Sequence, residues 1–189
     1  MVPREKILYL AGRLARQRGM EERAEAFFLR VLEIDPEYYD ALMEEGLVRY
    51  RAGDYTRAHE MFRRASTIIE DRPWPYYYSG IALVALGDRT GAIGAFRKAR
   101  ERSAGEVEIF HALGHALESD GQNREAERQF AAAAHHHPQR IDAWSALLDF
   151  HLRNGNRPGA EDACSRLAGL RWDPALLRER CASPGDGLP

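Results

Sequence analysis

The pattern that decides the fold is most complete in residues 39–72, which read YDALMEEGLVRYRAGDYTRAHEMFRRASTIIEDR. Near the middle of this stretch, Gly53 belongs to a series of glycines that are 34 residues apart. The series is Gly19, Gly53, Gly87, Gly121 and Gly155. Glycine makes up only 16 of the 189 residues. Five in register by chance therefore have a probability of about 4 × 10⁻⁶, and the spacing indicates an internal repeat.

Three further columns keep the same period. Five residues after each glycine of the series comes an alanine, and seven residues before it comes a second glycine, with Leu148 as the exception. Nine residues after it comes a phenylalanine, which Cys164 replaces in the last repeat. The members are Ala24, Ala58, Ala92, Ala126 and Ala160; Gly12, Gly46, Gly80 and Gly114; and Phe28, Phe62, Phe96 and Phe130. We expect the small residues to let paired helices approach closely and the aromatic ring to fill the gap between successive repeats.

Each repeat is predicted to form two helices. Apolar residues recur at spacings of three and four within each half-repeat, as in Ala24, Phe28 and Val31, which is typical of one face of an amphipathic helix. The recurring glycine lies between the two halves, where the chain must turn and positive φ is favoured. Pro36 and Pro138 are expected to end the second helices of the first and fourth repeats.

These columns resemble the tetratricopeptide repeat, or TPR. Counted from Glu5, the small residues fall at places 8 and 20 of the repeat, the turn glycine at place 15 and the phenylalanine at place 24. The resemblance implies an all-α fold, a right-handed α-α superhelix (TPR solenoid) of five helix-turn-helix repeats with a short capping helix at its C-terminal end. The repeats are residues 5–38, 39–72, 73–106, 107–140 and 141–174.

The C-terminal end of the chain is expected to close the array. Asp173 and Pro174 are typical of an N-cap and a first helical residue, so the capping helix is predicted over about residues 174–182. Residues 183–189 are rich in proline and glycine and are predicted to be a flexible tail. The whole of residues 1–182 is then one TPR solenoid.

By the same resemblance, the first helix of each repeat lines a concave groove. The residues expected to bind a partner there are Tyr9, Arg13, Arg16, Met43, Leu47, Tyr50, Trp74, Tyr77, Tyr78, Ile81, His111, His115 and Asp149. They run from a basic entrance through an aromatic and aliphatic centre to an acidic end with histidines. Aromatic residues and methionine suit the anchors of a partner peptide or helix. The alternative is that Trp74, Tyr77 and Tyr78 only pack between repeats, as aromatic residues at helical spacing often do.

Motifs for catalysis are missing from the sequence. It contains no glycine-rich phosphate loop, no G-x-S-x-G elbow and no C-x-x-C pair, so we expect no enzyme, no cofactor and no metal. His111, His115 and Glu118 are spaced to share one helix face, which keeps a metal-dependent activity around His111 and His115 as an alternative. The clamp with which some TPR proteins hold the carboxylate terminus of chaperones is missing in every register, which disfavours a co-chaperone of that type.

Charge and cysteine content restrict the partners and the compartment. Basic residues number 27 and acidic residues 29, a formal charge of -2, so no general attraction to nucleic acid or an anionic membrane is expected. No apolar run is long enough for a membrane span. Cys164 and Cys181 are expected to be free thiols rather than a disulfide. Together with Arg4, Glu5 and Lys6, which interrupt any signal-peptide pattern, they favour the cytoplasm.

The sequence leaves two functions open beside the metal-dependent one. The favoured hypothesis is a scaffold or adaptor for protein–protein interaction, which binds a peptide or helix segment of a partner in the groove. The alternative is a secretion or assembly chaperone of the TPR class that holds an apolar effector segment. Homo-oligomers through the uncapped first repeat are also predicted, because Ile7, Leu8 and Leu14 begin the array without a covering helix.

Overall fold

A computed structural model of the chain describes residues 2–103, 105–170 and 172–181. Within these ranges the chain forms eleven α-helices and no strand, which confirms the all-α prediction. The helices are α1 (Arg4–Gln17), α2 (Glu21–Ile34), α3 (Tyr39–Arg51), α4 (Tyr55–Ile68), α5 (Pro73–Ala85), α6 (Arg89–Arg102), α7 (Val107–Ser119), α8 (Asn123–His136), α9 (Ile141–Arg153), α10 (Arg157–Gly169) and α11 (Pro174–Cys181). None of these helices has the length and apolar character that crossing a membrane requires.

Each predicted repeat is one helical hairpin, and its turn is made at the recurring glycine. Gly53 shows the reason, since its φ is +79° and no other group lies within 4 Å of the position a Cβ would take. Glycine is required there by the backbone conformation and not by lack of space. The Asp54 N–H donates to the Arg49 carbonyl at 2.9 Å, which satisfies one of the last carbonyls of α3.

The second glycine column is required for a different reason, which is contact between the two helices of a hairpin. A Cβ on Gly80 of α5 would lie 2.5 Å from Cε1 of Phe96 on α6, and a Cβ on Gly46 would lie 2.5 Å from Cε1 of Phe62. The phenylalanine ring therefore lies directly on the backbone of the first helix. In the fifth hairpin the large and small residues are exchanged. Leu148 of α9 replaces the glycine and is fully buried, and Cys164 of α10 replaces the phenylalanine.

The hairpins are grouped in two compact units, an N-terminal unit (Met1–Ala104) and a C-terminal unit (Gly105–Pro189). Within the N-terminal unit, Phe28 of the first repeat shares a core cluster with Val48 of the second. Within the C-terminal unit, the rings of Phe130 and Phe150 lie 5.4 Å apart and join the fourth repeat to the fifth. A single solenoid over residues 1–182 stays a prediction.

The capping helix is present as α11, over Pro174–Cys181. The Asp173 carboxylate accepts a hydrogen bond from the Ala175 N–H at 2.7 Å, as expected of the residue before the helix. A sixth repeat in register would begin at residue 175, so α11 occupies the sequence position of its first helix. Arg180 of α11 pairs with Asp149 of α9 at 2.6 Å. The predicted flexible tail, 183–189, lies outside the described residues.

The prediction that the two cysteines remain free is wrong. Cys164 and Cys181 form a disulfide, with their Cα atoms 5.9 Å apart. Cys164 stands at place 24, where the other repeats have a phenylalanine. Because α11 packs on α10, it brings Cys181 to that position. A chain of this size needs no disulfide for its core, but a final helix of 8 residues has too few contacts to be stable by itself.

Substituting Gly80 by alanine is expected to destabilise the N-terminal unit. The added methyl group would force Phe96 out of its position, which typically costs about 1–3 kcal/mol. The matched control is Gly94→Ala on α6, where no group lies within 4 Å of the new Cβ. Alanine there should raise the free energy of unfolding by up to about 1 kcal/mol through helix propensity alone. Urea unfolding followed by circular dichroism measures both, and equal effects would contradict the contact described here.

Opening the disulfide is expected to destabilise the C-terminal unit. The two cysteines are 17 residues apart in sequence, and a loop of this size is worth about 3 kcal/mol when it is closed. Unfolding in urea with and without dithiothreitol should differ by this order in the wild type. The double variant Cys164→Ser plus Cys181→Ser is the control, and dithiothreitol should not change its unfolding. An unchanged wild type under reduction would refute the stabilising role.

Candidate functional site

The predicted groove residues of the N-terminal unit lie on α1, α3 and α5, the first helices of three successive hairpins. Arg13 is exposed. The half-buried ones are Tyr9, Arg16, Met43, Leu47, Tyr50, Trp74, Tyr77, Tyr78 and Ile81. Met43, Leu47 and Tyr50 pack against the core cluster around Phe62. Each of these side chains therefore has one side on the core and another side in solvent.

The three aromatic residues of α5 form one connected cluster. The Trp74 ring lies 5.6 Å from Tyr77 and 6.3 Å from Tyr78, and the two tyrosine rings are 5.2 Å apart. Because Tyr77 and Tyr78 are successive residues of a helix, they diverge by about 100°. Tyr78 stacks on Phe62 at 5.5 Å, whereas Tyr77 meets Phe96 at 6.0 Å. One side of each tyrosine ring therefore packs on a core phenylalanine, as the alternative interpretation proposed. Because both rings are half-buried, part of their apolar surface also faces solvent.

The residues of the predicted basic entrance lie on α1, and one of them contacts α3. The Arg13 guanidinium lies over the Tyr9 ring, 5.9 Å from its centroid. Arg16 lies 3.1 Å from the Glu44 carboxylate of α3. Burial raises the pKa of Tyr9 to about 12, and the negative charge of Asp40 adds to this effect. The Tyr9 hydroxyl is therefore neutral and a hydrogen-bond donor throughout the physiological pH range.

Glu44 is a polar residue of this surface that the sequence prediction did not include. It is 9% exposed, and its Oε2 accepts no hydrogen bond although Arg16 is near. Burial raises the pKa of Glu44, while Arg16 and Arg13 act in the opposite direction. The ion pair with Arg16 supplies the positive charge that compensates the buried carboxylate. Its position in the repeat could have indicated this role. Glu44 is at place 6, which adjoins the predicted groove positions, and the first repeat has arginines nearby.

In the C-terminal unit, His111, His115 and Glu118 share one side of α7 as predicted, but they do not form a metal site. Nδ1 of His115 is 3.6 Å from Glu118, whose carboxylate accepts hydrogen bonds from Arg153 at 3.0 and 2.9 Å. Among the described residues, no group of three or more histidine, cysteine, aspartate or glutamate side chains is placed to hold a metal ion. Within the part of the chain that the structure describes, the hypothesis of a metal-dependent activity has no such group of ligands to support it.

The acidic end of the predicted gradient is largely paired with arginines. Arg140 binds both Glu108 and Asp142, at 3.1 and 2.5 Å. Asp149, predicted as a groove residue, is half-buried and pairs with Arg180 of α11. The Arg140–Glu108 pair joins the two ends of the fourth repeat, the Arg140–Asp142 pair joins the fourth repeat to the fifth, and the Arg180–Asp149 pair joins the fifth repeat to α11. The net negative potential expected here is reduced because each carboxylate already has a cationic partner.

His111 is the predicted residue of this unit with the most perturbed surroundings. Its ring lies 6.1 Å from Phe130, and its Nε2 is buried without a hydrogen-bond partner. Burial lowers the pKa of His111, and the nearby Asp142 only partly opposes this. At neutral pH the ring is uncharged, and it suits an apolar contact or a single hydrogen bond.

Comparisons with known proteins agree with the arrangement of hairpins. Models of the tetratricopeptide repeat family match residues 5–38 and 111–173. A comparison with curated proteins gives no match. Among solved structures, YrrB, described as a TPR protein with an unusual peptide-binding site, is 25% identical with a TM-score of 0.71 over 91% of this chain and 89% of that one. MamA is 20% identical with a TM-score of 0.76 over 87% and 96%, and PilF of Pseudomonas aeruginosa is 17% identical with a TM-score of 0.75 over 93% and 80%.

Acidification is expected to destabilise the C-terminal unit through two buried histidines. Burial lowers the pKa of both His111 and His151 below the ordinary value of 6.5. Below pH 6.5 the unfolded state therefore binds protons that the folded state does not, and the free energy of unfolding falls as the pH falls. Urea unfolding at pH 7.5 and 5.5 should show the loss. The variant His111→Gln plus His151→Gln should show a smaller difference between the two pH values, and an equal difference would contradict this origin.

Proposed function

Since the chain belongs to the tetratricopeptide repeat family, we propose that it is a non-catalytic scaffold that binds a segment of a partner protein on its first helices. The repeat fold supports a role in protein–protein interaction in general. The specific proposal is that a peptide or helix lies along α1, α3 and α5 of the N-terminal unit, where the predicted groove residues occur.

The observation that carries the proposal is the aromatic cluster of Trp74, Tyr77 and Tyr78. The three rings contact one another and are held from below by Phe62 and Phe96, so little side-chain entropy remains to be lost on binding. Rigid, half-exposed aromatic residues are typical of the positions that contribute most to binding energy. We therefore place the main apolar anchor of the partner segment against α5.

The charges on α1 suggest how the partner is oriented. Lys6 and Arg13 are exposed at this end of the surface, while Arg16 is engaged by Glu44. An acidic residue in the bound segment would pair with Lys6 or Arg13. Such pairs add orientation and association rate more than affinity. His111 and His115 offer a second candidate surface within the C-terminal unit.

A peptide ligand is also suggested by YrrB, whose description names a peptide-binding site. That property belongs to YrrB, and here it supports the choice of a peptide over a folded domain. The chaperone alternative differs in the kind of ligand, because an apolar effector segment would contact the aromatic cluster without needing Lys6 or Arg13. A partner whose binding is independent of salt would favour that alternative.

A cytoplasmic location is part of the proposal. One of its two sequence arguments, the free cysteines, no longer supports it. Cys164 and Cys181 form a disulfide, and disulfides persist mainly in oxidising compartments. A cytoplasmic scaffold would carry these two residues as thiols, so the oxidation state of the pair in its host distinguishes the two compartments.

Removing the aromatic anchors is expected to abolish partner capture. The variant Trp74→Ala plus Tyr77→Ala deletes the exposed ring surface, and losses of this kind commonly reach about 2 kcal/mol or more per anchor. The control is Lys98→Ala plus Arg100→Ala, two exposed residues of α6. Immobilised wild type, variant and control are compared by quantitative mass spectrometry of proteins retained from a host extract, after circular dichroism shows equal helix content. Proteins retained equally by all three would refute the groove as the binding surface.

A further inference from the structure

A second apolar surface lies on α1, beside the predicted groove residues of the same helix. Ile7, Leu10 and Leu14 are 55%, 51% and 48% exposed. Their spacings of three and four residues place them in one stripe along the helix. Tyr9, which faces Phe28 and the groove, lies on another side of the same helix. We call the stripe the end face.

The equivalent positions of later repeats are buried by the second helix of the repeat before. Leu14 is at place 10, and the residue at place 10 of the second repeat is Val48, which is 7% exposed and packs in the cluster of Phe28. At place 10 of the third repeat, Ala82 packs in the cluster of Phe62. Within each unit, therefore, a helix with a phenylalanine near its centre covers this position.

The same relation holds in the C-terminal unit. Phe150, at place 10 of the fifth repeat, is 3% exposed, and its ring lies 5.4 Å from Phe130 of the repeat before. At place 3, where the first repeat has the exposed Ile7, the second and fifth repeats have Ala41 and Ala143, both fully buried. The end face thus consists of the same repeat positions that, in other repeats of this molecule, are covered by a helix with a phenylalanine.

The charges beside the end face determine which helix fits. At 100° per residue, Arg4 and Arg18 lie along one side of the stripe and Lys6 and Arg13 along the other. All four are exposed, and none of them has an ion pair within the described ranges. An amphipathic helix with acidic residues on both sides of its apolar stripe would pair with these cations as it covers the apolar residues.

We propose that the end face docks an amphipathic helix of a partner protein, with acidic flanks and a central aromatic or leucine residue. The apolar stripe is distinct from the aromatic cluster of the predicted groove, while Lys6 and Arg13 border both surfaces, and the interaction goes beyond the proposed scaffold function. A second copy of the chain is disfavoured as the occupant, because pairing α1 with α1 would bring basic flanks together. The last hairpin of a second copy already packs against its own α11, which the disulfide of Cys164 holds in place.

The proposal is tested with synthetic helices of defined chemistry. The probe is a fluorescein-labelled amphipathic peptide with a leucine and phenylalanine stripe flanked by glutamates, and its binding to the full chain is followed by fluorescence anisotropy. One control peptide carries lysines in place of the glutamates, and another carries serines in place of the stripe. We expect the glutamate peptide to bind at least tenfold more tightly than either control. Equal binding of the glutamate and lysine peptides would overturn the proposal.

Variants locate the binding on the end face. Leu10→Gln plus Leu14→Gln should weaken binding at least tenfold, whereas Leu86→Gln, an equally exposed leucine, should not. Lys6→Glu plus Arg18→Glu should reverse the preference toward the lysine peptide. Trp74→Ala plus Tyr77→Ala should leave binding unchanged, which separates this surface from the groove. If Leu86→Gln weakens binding as much as the end-face variant, the location is wrong.

Sedimentation velocity decides between the partner helix and a second copy. The wild type should sediment as the same species from micromolar to hundreds of micromolar concentration. A dimer that forms with concentration and disappears in Leu10→Gln plus Leu14→Gln would overturn the proposal and assign the end face to self-association.

Discussion

The rest of the structure depends on one contact, between a phenylalanine ring and a glycine backbone. The ring at place 24 lies on the glycine at place 8 of its own hairpin, so close that a single Cβ would overlap it. The same ring joins the core of the next repeat at place 10, as Phe28 does with Val48 and Phe62 with Ala82. Hairpin closure and repeat stacking are therefore one packing event, and the first helices are held in register as a result.

The positions of the side chains on the candidate binding surface follow from this stacking. Once α3 and α5 are fixed by the phenylalanines, side chains beside the buried positions must lie partly on the core and partly outside. Tyr77 and Tyr78 show this division, since each meets a different core phenylalanine while the pair also supports Trp74. The rigidity of the surface comes from the core, which allows a scaffold to present aromatic anchors without a separate binding domain.

The sequence was sufficient for those features that recur with the period. The five positive-φ glycines, the hairpin boundaries and the Asp173 cap are each imposed by local chemistry, and each is found where it was expected. Features that occur once were not predictable in this way. The disulfide depends on where α11 packs, and the pairing of Arg140 with Glu108 and Asp142 depends on the conformation of one long side chain, neither of which a repeating column of residues reveals.

The departure of the fifth hairpin from the glycine–phenylalanine pair restricts how the chain can be rearranged. Hairpins one to four share the same internal glycine–phenylalanine contact, so they are exchangeable with one another as far as that contact is concerned. The fifth has Leu148 and Cys164 instead, and its cysteine is bonded to α11. Duplication or shuffling of hairpins one to four is thus compatible with the packing inside each hairpin, whereas the last hairpin and its final helix must be inherited together.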